Sequence, residues 1–271
     1  MKGYLFVGIG IFCLLSFFLS CGNPASQDGP VIATNRFQSI CKYKPDSLKE
    51  GYHNDLFFLD WGNNTSRFYS QIEYLKDSAK TAMLAAGENV YFIHEELRVY
   101  GYGKKYVIVK TPEEIVFSDL LVTSRFYYKE PTPDFQWYLK QDTCSILGYP
   151  CQKAVCQYGG RVWTAWFTTH IPISDGPYKF SGLPGLILRI SDEDQFFIFE
   201  MSGMEDCHVP LPNAYGANYS KIDKKRYLQI DYRVWTENFD PSGNVKSFRL
   251  TDEQGRDVTD DKIPYIPMEL Y

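Results

Sequence analysis

Between Val90 and Ser202 apolar and polar positions alternate in short runs broken by turn residues. Tyr106–Lys110, Glu114–Ser118, Ser124–Tyr128 and Phe135–Leu139 are separated by Thr-Pro, Ser-Asp and Pro-Thr-Pro, and Ala154–Gln157, Val162–Phe167, Leu186–Ile190 and Phe196–Glu200 follow. Short alternating runs with turn signals between them predict an antiparallel meander. Leu147-Gly148, Gly159-Gly160 and Ser191–Asp194 are its clearest hairpin turns, and Asp55–Asp60 predicts an earlier strand.

Two stretches change the period. Phe68, Ile72, Leu75, Ala79, Met83 and Ala86 recur at steps of three and four, after the turn-forming Asn63–Ser66 and before Gly87. That spacing predicts an amphipathic helix. Residues 223–239 fit either period; their length, the opening Asp223 and the stop at Asp240-Pro241 favour a helix. The expected fold is α+β: a curved antiparallel β-meander, a half-barrel-like sheet, with two packed helices. By fold analogy it is similar to the half-barrels of periplasmic lipoprotein carriers, which shelter acyl chains.

The first residues set the compartment. Tyr4–Ser20 runs without a charge behind Lys2, at the short end for a bilayer span and followed by small and turn-forming residues, which fits an export signal better than a retained helix. The run ends at Phe18-Leu19-Ser20-Cys21, which resembles a bacterial lipoprotein signal, with Phe18 and Leu19 departing from the usual residues before the cysteine. The expectation is a signal peptide over 1–20, lipid attachment at Cys21, a tether over 21–36 and a single domain over 37–271. A plain secretory signal cut after Ala25, giving a soluble periplasmic protein, is the alternative.

The 271 residues carry a net charge of −5, which argues against a nucleic-acid partner. Aromatic residues make up 17%, with 21 Tyr and 19 Phe, which suits pleated half-buried surfaces. Beyond Cys21 lie Cys41, Cys144, Cys151, Cys156 and Cys207. Export permits disulfides, and a turn centred on Leu147-Gly148 sets Cys144 opposite Cys151, within bridging reach.

Residues 171–188 are the most distinctive stretch. Pro172, Pro177 and Asp175-Gly176 stiffen a loop, and Leu183-Pro184-Gly185-Leu186 has Pro and Gly where a type II turn wants them, with Gly185 taking φ > 0. Gly182 is expected to allow a close backbone approach. The loop is read as structural, or as a rim presenting Tyr178, Lys179 and Phe180 to a ligand beside Trp163 and Trp166.

Here the sequence resembles the GLPGLI family of Bacteroidetes envelope proteins, on Gly182, Leu183, Pro184, Gly185, Leu186 and Ile187. Leu147-Gly148-Tyr149, Cys151–Ala154, Trp163, Ala165–Phe167 and Ile171–Pro177 fit the same pattern, as do Ser66–Tyr69. The resemblance implies an envelope setting, often beside outer-membrane transport systems, and no assigned molecular role. An outer-membrane lipoprotein facing the periplasm or the cell surface is therefore expected. There, Asp46-Ser47-Leu48 and Asp77-Ser78-Ala79 are candidate O-glycosylation triplets.

Catalytic motifs are missing from the sequence. His94-Glu95-Glu96 lacks a second histidine for zinc, and neither a Gly-x-Ser-x-Gly elbow nor a phosphate-binding loop occurs. No catalytic residue, metal or cofactor is assigned. The reading is a non-enzymatic accessory held to the membrane by its lipid, binding a hydrophobic or peptide ligand or an outer-membrane transporter. A hydrolase assembled only in the fold and a structural assembly factor are the alternatives.

Overall fold

Strand alternation builds one open sheet in the computed structural model, which describes residues 30–44, 51–101, 103–237 and 265–270. The strands are β1 (Ile32–Tyr43), β2 (His53–Gly62), β3 (Thr65–Ser70), β4 (Val107–Lys110), β5 (Glu114–Leu121) and β6 (Ser124–Pro131). They continue with β7 (Tyr138–Ile146), β8 (Tyr149–Tyr158), β9 (Arg161–Thr168), β10 (Leu186–Asp192), β11 (Phe197–Pro210) and β12 (Ser220–Lys221). The helices are α1 (Gln71–Ala85), α2 (Val90–Leu97) and α3 (Lys224–Thr236).

The spatial order is β12-β6-β5-β4-β3-β2-β1-β11-β10-β9-β8-β7, a mainly-β sheet that does not close into a barrel. The expected single meander is thus two: β1–β6 and β7–β11, each of consecutive antiparallel strands, with α1 and α2 inserted between β3 and β4. They join where β1 pairs with β11, Ile32 opposite Pro210 and Tyr43 opposite Phe197. Short β12 adds to β6 in parallel. β1 begins at Ile32, inside the stretch assigned to the tether, and Ala33 is already fully buried.

The sheet curls strongly. Phe68 on β3 and Phe199 on β11 are three strands apart, roughly 14 Å on a flat sheet, yet their ring centroids are 6.0 Å apart. Inward rings from β2, β3 and β11 therefore converge, Phe57 of β2 also lying 6.3 Å from Phe199.

The helices differ from expectation. Asn63 and Asn64 both take positive φ, forming a hairpin turn rather than a helix cap. Phe68 consequently falls in β3, and α1 begins only after Ser70, whose hydroxyl accepts from the Glu73 N–H. Tyr74 meets Phe58 and Tyr69, neighbours of inward residues, so α1 lies on the outer face and none of its side chains is buried. Residues 90–97, read as strand, form α2 because the Asn89 side chain caps the Tyr91 N–H. α3 starts at the expected Asp223, which accepts from the Arg226 N–H, and buries Tyr227, Ile230, Asp231 and Val234 inside the curl. Of the two packed helices expected, only this one enters the core.

Residues 169–185 fill much of the hollow. Ile173, Tyr178, Phe180 and Leu183 are buried there, and Lys110 reaches in from β4 to pair with Asp175 and donate to the Gly176 carbonyl (2.6 Å). The glycine roles are exchanged relative to expectation. Gly182 carries the positive φ of +86°, and Gly185 is the close-approach residue. A Cβ on Gly185 would sit 2.1 Å from the Thr168 carbonyl oxygen of β9, against backbone that cannot step aside. Gly185→Ala should therefore part β9 from β10 and destabilise the fold by about 2–3 kcal/mol. Gly182→Ala, whose cost is left-handed backbone alone, should lose about 1 kcal/mol. Urea unfolding of the two variants checks the order.

Candidate ligand-binding cavity

What the loop leaves open is a cavity of about 550 Å3. One wall comes from the sheet: Cys41 and Tyr43 of β1, Tyr106 just before β4, Phe117 and Asp119 of β5, and Tyr128 of β6. Facing it are Tyr227, Leu228, Asp231, Val234 and Trp235 of α3, and residues 265–269 close a third side. Lys104, Lys105 and the partly exposed Trp235 lie toward solvent.

Two carboxylates sit in these walls, Asp119 8% exposed and Asp231 9% exposed. The Tyr227 hydroxyl, from α3, donates to Asp119 across the cavity wall at 2.7 Å, and the Leu120 N–H donates to its other oxygen. Asp231 accepts from the Tyr265 hydroxyl (2.5 Å) and the Trp235 indole N–H (3.2 Å). Neither forms an ion pair among the described residues. Loss of solvation pushes both acids up, Asp231 to about 6.

A second polar group closes one end. Lys179, with no exposed surface, donates to Glu130 (2.6 Å), Glu269 (2.6 Å) and the Tyr128 hydroxyl (2.8 Å). Lys224 pairs with the same two glutamates at 2.7 and 2.6 Å. Burial alone would raise Glu269, but the two ammonium groups outweigh it and hold its carboxyl down at about 2. The Tyr178 hydroxyl donates to Glu269 as well (2.6 Å). Two cations and two anions leave this cluster neutral, in contrast to the acid pair beside it.

The residues read as a ligand rim need correcting. Trp163, Lys179 and Phe180 are fully buried, and Trp163 donates to the Tyr158 carbonyl at 3.0 Å. Pro177 and the positive φ of Tyr178 turn this loop into the hollow rather than outward. Tyr178 does line the cavity, while Trp166 faces the opposite side of β9, with Lys153 near its ring. Gly182–Ile187 form the junction of loop and sheet: the Leu186 and Ile187 N–H groups donate to Ile171 and Asp175. Cys144 and Cys151 face each other in register as expected, but both are free thiols here. Cys21 lies outside the described residues, as does the triplet 46–48.

Asp119 and Asp231 escaped the sequence reading. Asp119 shares the inward phase of Ile115, Phe117 and Leu121, and Asp231 falls one turn from Tyr227 on the buried face of α3. A charged residue in an otherwise apolar inward row was the signal available. Among the described residues no group of His, Cys, Asp and Glu is placed to hold a metal ion, and no helix is long and apolar enough to cross a membrane.

The class this architecture defines is an open, curled, mainly antiparallel sheet with few helices. A family described as a protein of unknown function, Porph_ging, matches residues 158–189, a small part of the chain that contains the Gly182–Ile187 motif. No curated protein matches the chain. The solved structure of PNGF-II in space group P21 is similar at TM-score 0.50 and 12% identity, covering 82% of this chain and 39% of that one. Its C2 form gives 0.49 and 11%, over 74% and 34%. An uncharacterized conserved protein from Thermus thermophilus gives 0.35 and 11%, over 70% and 91%. The chain thus spans well under half the length of PNGF-II, and the likeness is one of fold.

Proposed function

We propose that this is an exported, lipid-anchored envelope protein that binds a small ligand in the cavity between the sheet and α3. The cavity carries the reading. Its volume lies within the range of small-molecule sites, and its lining is largely apolar and aromatic with a few placed polar groups, as such sites are. Binding is favoured over hydrolysis because His53, His170 and His208 stand exposed on the surface, away from the cavity. Cys21 and the charge-free run before it support attachment to the outer membrane, where the domain would present its ligand to a transporter.

Native mass spectrometry of protein purified from envelopes tests this. The unchanged chain should carry a small molecule that Leu228→Trp, which fills the cavity, excludes. The same mass in both, or no adduct in either, would remove the basis of the reading. Cys21→Ala should move the protein to the soluble fraction; unchanged retention would overturn the anchor.

A further inference from the structure

Among the described residues neither of the cavity's two acids forms an ion pair, and that points to the ligand's chemistry. Resting on the ligand site proposed above, we infer that the cavity takes an organic cation: an amine on an aromatic or short aliphatic body, its charge seated between Asp119 and Asp231 and its body against the surrounding rings.

Three observations converge. First, Asp119 and Asp231 are donated by different walls, sheet and helix, and both border the same space. A group lying between the walls meets both. Second, their partners are neutral: the Tyr227 and Tyr265 hydroxyls, the Trp235 indole and one backbone N–H. These donors hold the carboxylates in place without cancelling their charge. A buried carboxylate is costly unless a cation joins it, so a cationic ligand recovers energy that a neutral one does not. Third, the remaining lining presents ring faces. Tyr106 stacks on Phe117 at 5.7 Å, and Tyr227 tilts over Phe117 at 5.1 Å. Aromatic faces attract cations and repel anions.

The other charges facing this space do not supply the counter-ion. Lys179 and Lys224 are spent on Glu130 and Glu269. Lys104 holds its ammonium over the Tyr43 ring at 4.4 Å, and Lys105 is exposed; neither pairs with either acid. Both lie on the solvent side, where they favour a ligand whose cationic end points inward. Burial raises both acids, Asp231 to about 6, so a cation that seats between them should expel protons near pH 6, whereas an apolar guest should not.

Calorimetry on the full chain with three probes of one shape tests this: tyramine, p-cresol and 3-(4-hydroxyphenyl)propionate. Tyramine should bind at least about tenfold more tightly than p-cresol, and the propionate more weakly still. At pH 6 the heat of tyramine binding should vary with the buffer's ionisation enthalpy, reporting proton release. Asp231→Asn and Asp119→Asn keep an oxygen for their tyrosine donors, so the fold is retained, and each should bring the tyramine to p-cresol ratio toward one. Equal binding of tyramine and p-cresol to the unchanged chain would overturn the cation preference and leave the cavity a ligand site. Failure of all three probes to bind would overturn both.

Discussion

Replacing Lys179 with Ala should cost about 3–5 kcal/mol, the range for breaking a buried ion pair, and lower the melting temperature by roughly 10 °C. The side chain is fully buried and bonds Glu130, Glu269 and Tyr128 together. Its removal leaves two glutamates sharing Lys224, with Glu269 2% exposed. The tail loses one of several ties, since Tyr178 still donates to Glu269, Arg161 to the Pro267 carbonyl, and the Leu270 N–H to the Gly159 carbonyl. A double variant separates charge from packing. Lys179→Met with Glu269→Gln removes one cation and one anion, so the remaining Lys224–Glu130 pair stays neutral. It should recover about half of what Lys179→Met alone loses, by the coupling expected of contacting residues. Thermal unfolding of the three variants decides it; a mild effect of Lys179→Ala, under about 1 kcal/mol, would mean the cluster is solvated.

Mild acid should stabilise this protein. Asp55 and Asp231 are both pushed up to about 6, chiefly by burial, against an ordinary value of 3.8. The folded state therefore binds protons more readily than the unfolded chain. Stability from these groups is fully present below about pH 4 and is lost as pH rises through 6. Each two-unit shift corresponds to about 3 kcal/mol. Glu269 works the other way: held at about 2 against 4.5, it contributes stability above about pH 4.5 that disappears as pH falls toward 2. The melting temperature should rise from pH 7.5 to about 5, then fall below about pH 4. Asp55→Asn and Asp231→Asn should flatten the rise, and Glu269→Gln the acid fall. A melting temperature that declines steadily from pH 7.5 to 5 would contradict this account of the two aspartates.

Period-two alternation and turn chemistry are local, and they were legible. Val107–Lys110, the turns at Leu147-Gly148 and Gly159-Gly160, and the Asp223 cap of α3 all appear where the pattern puts them. Three things were not local. The start of β1, residues 32–36, reads as tether because the strand mixes polar and apolar residues irregularly, and its register with β11 shifts at Gln38/Ser39. Its place in the sheet depends on a partner far along the chain. The helix at 71–85 was given Phe68 because the step of four reads straight across the Ser70 junction between β3 and α1. The cavity was invisible because its walls come from β1, β5, β6, α3 and the tail, joined only by the curl. The Gly-Pro segment was recognisable, but its side chains point into the core, where a loop of such composition would not be placed by sequence alone.

β1 sits in the interior of the sheet although it comes earliest in the chain among the described strands. During vectorial synthesis it can zip to β2 at once, but its other edge waits until β11 emerges. For that interval the nascent chain carries an open, hydrogen-bond-hungry edge beside aromatic side chains, a template for mispairing. Completion is gated by delivery of the second half, so folding should be slow and dependent on a holdase for as long as that edge stays bare.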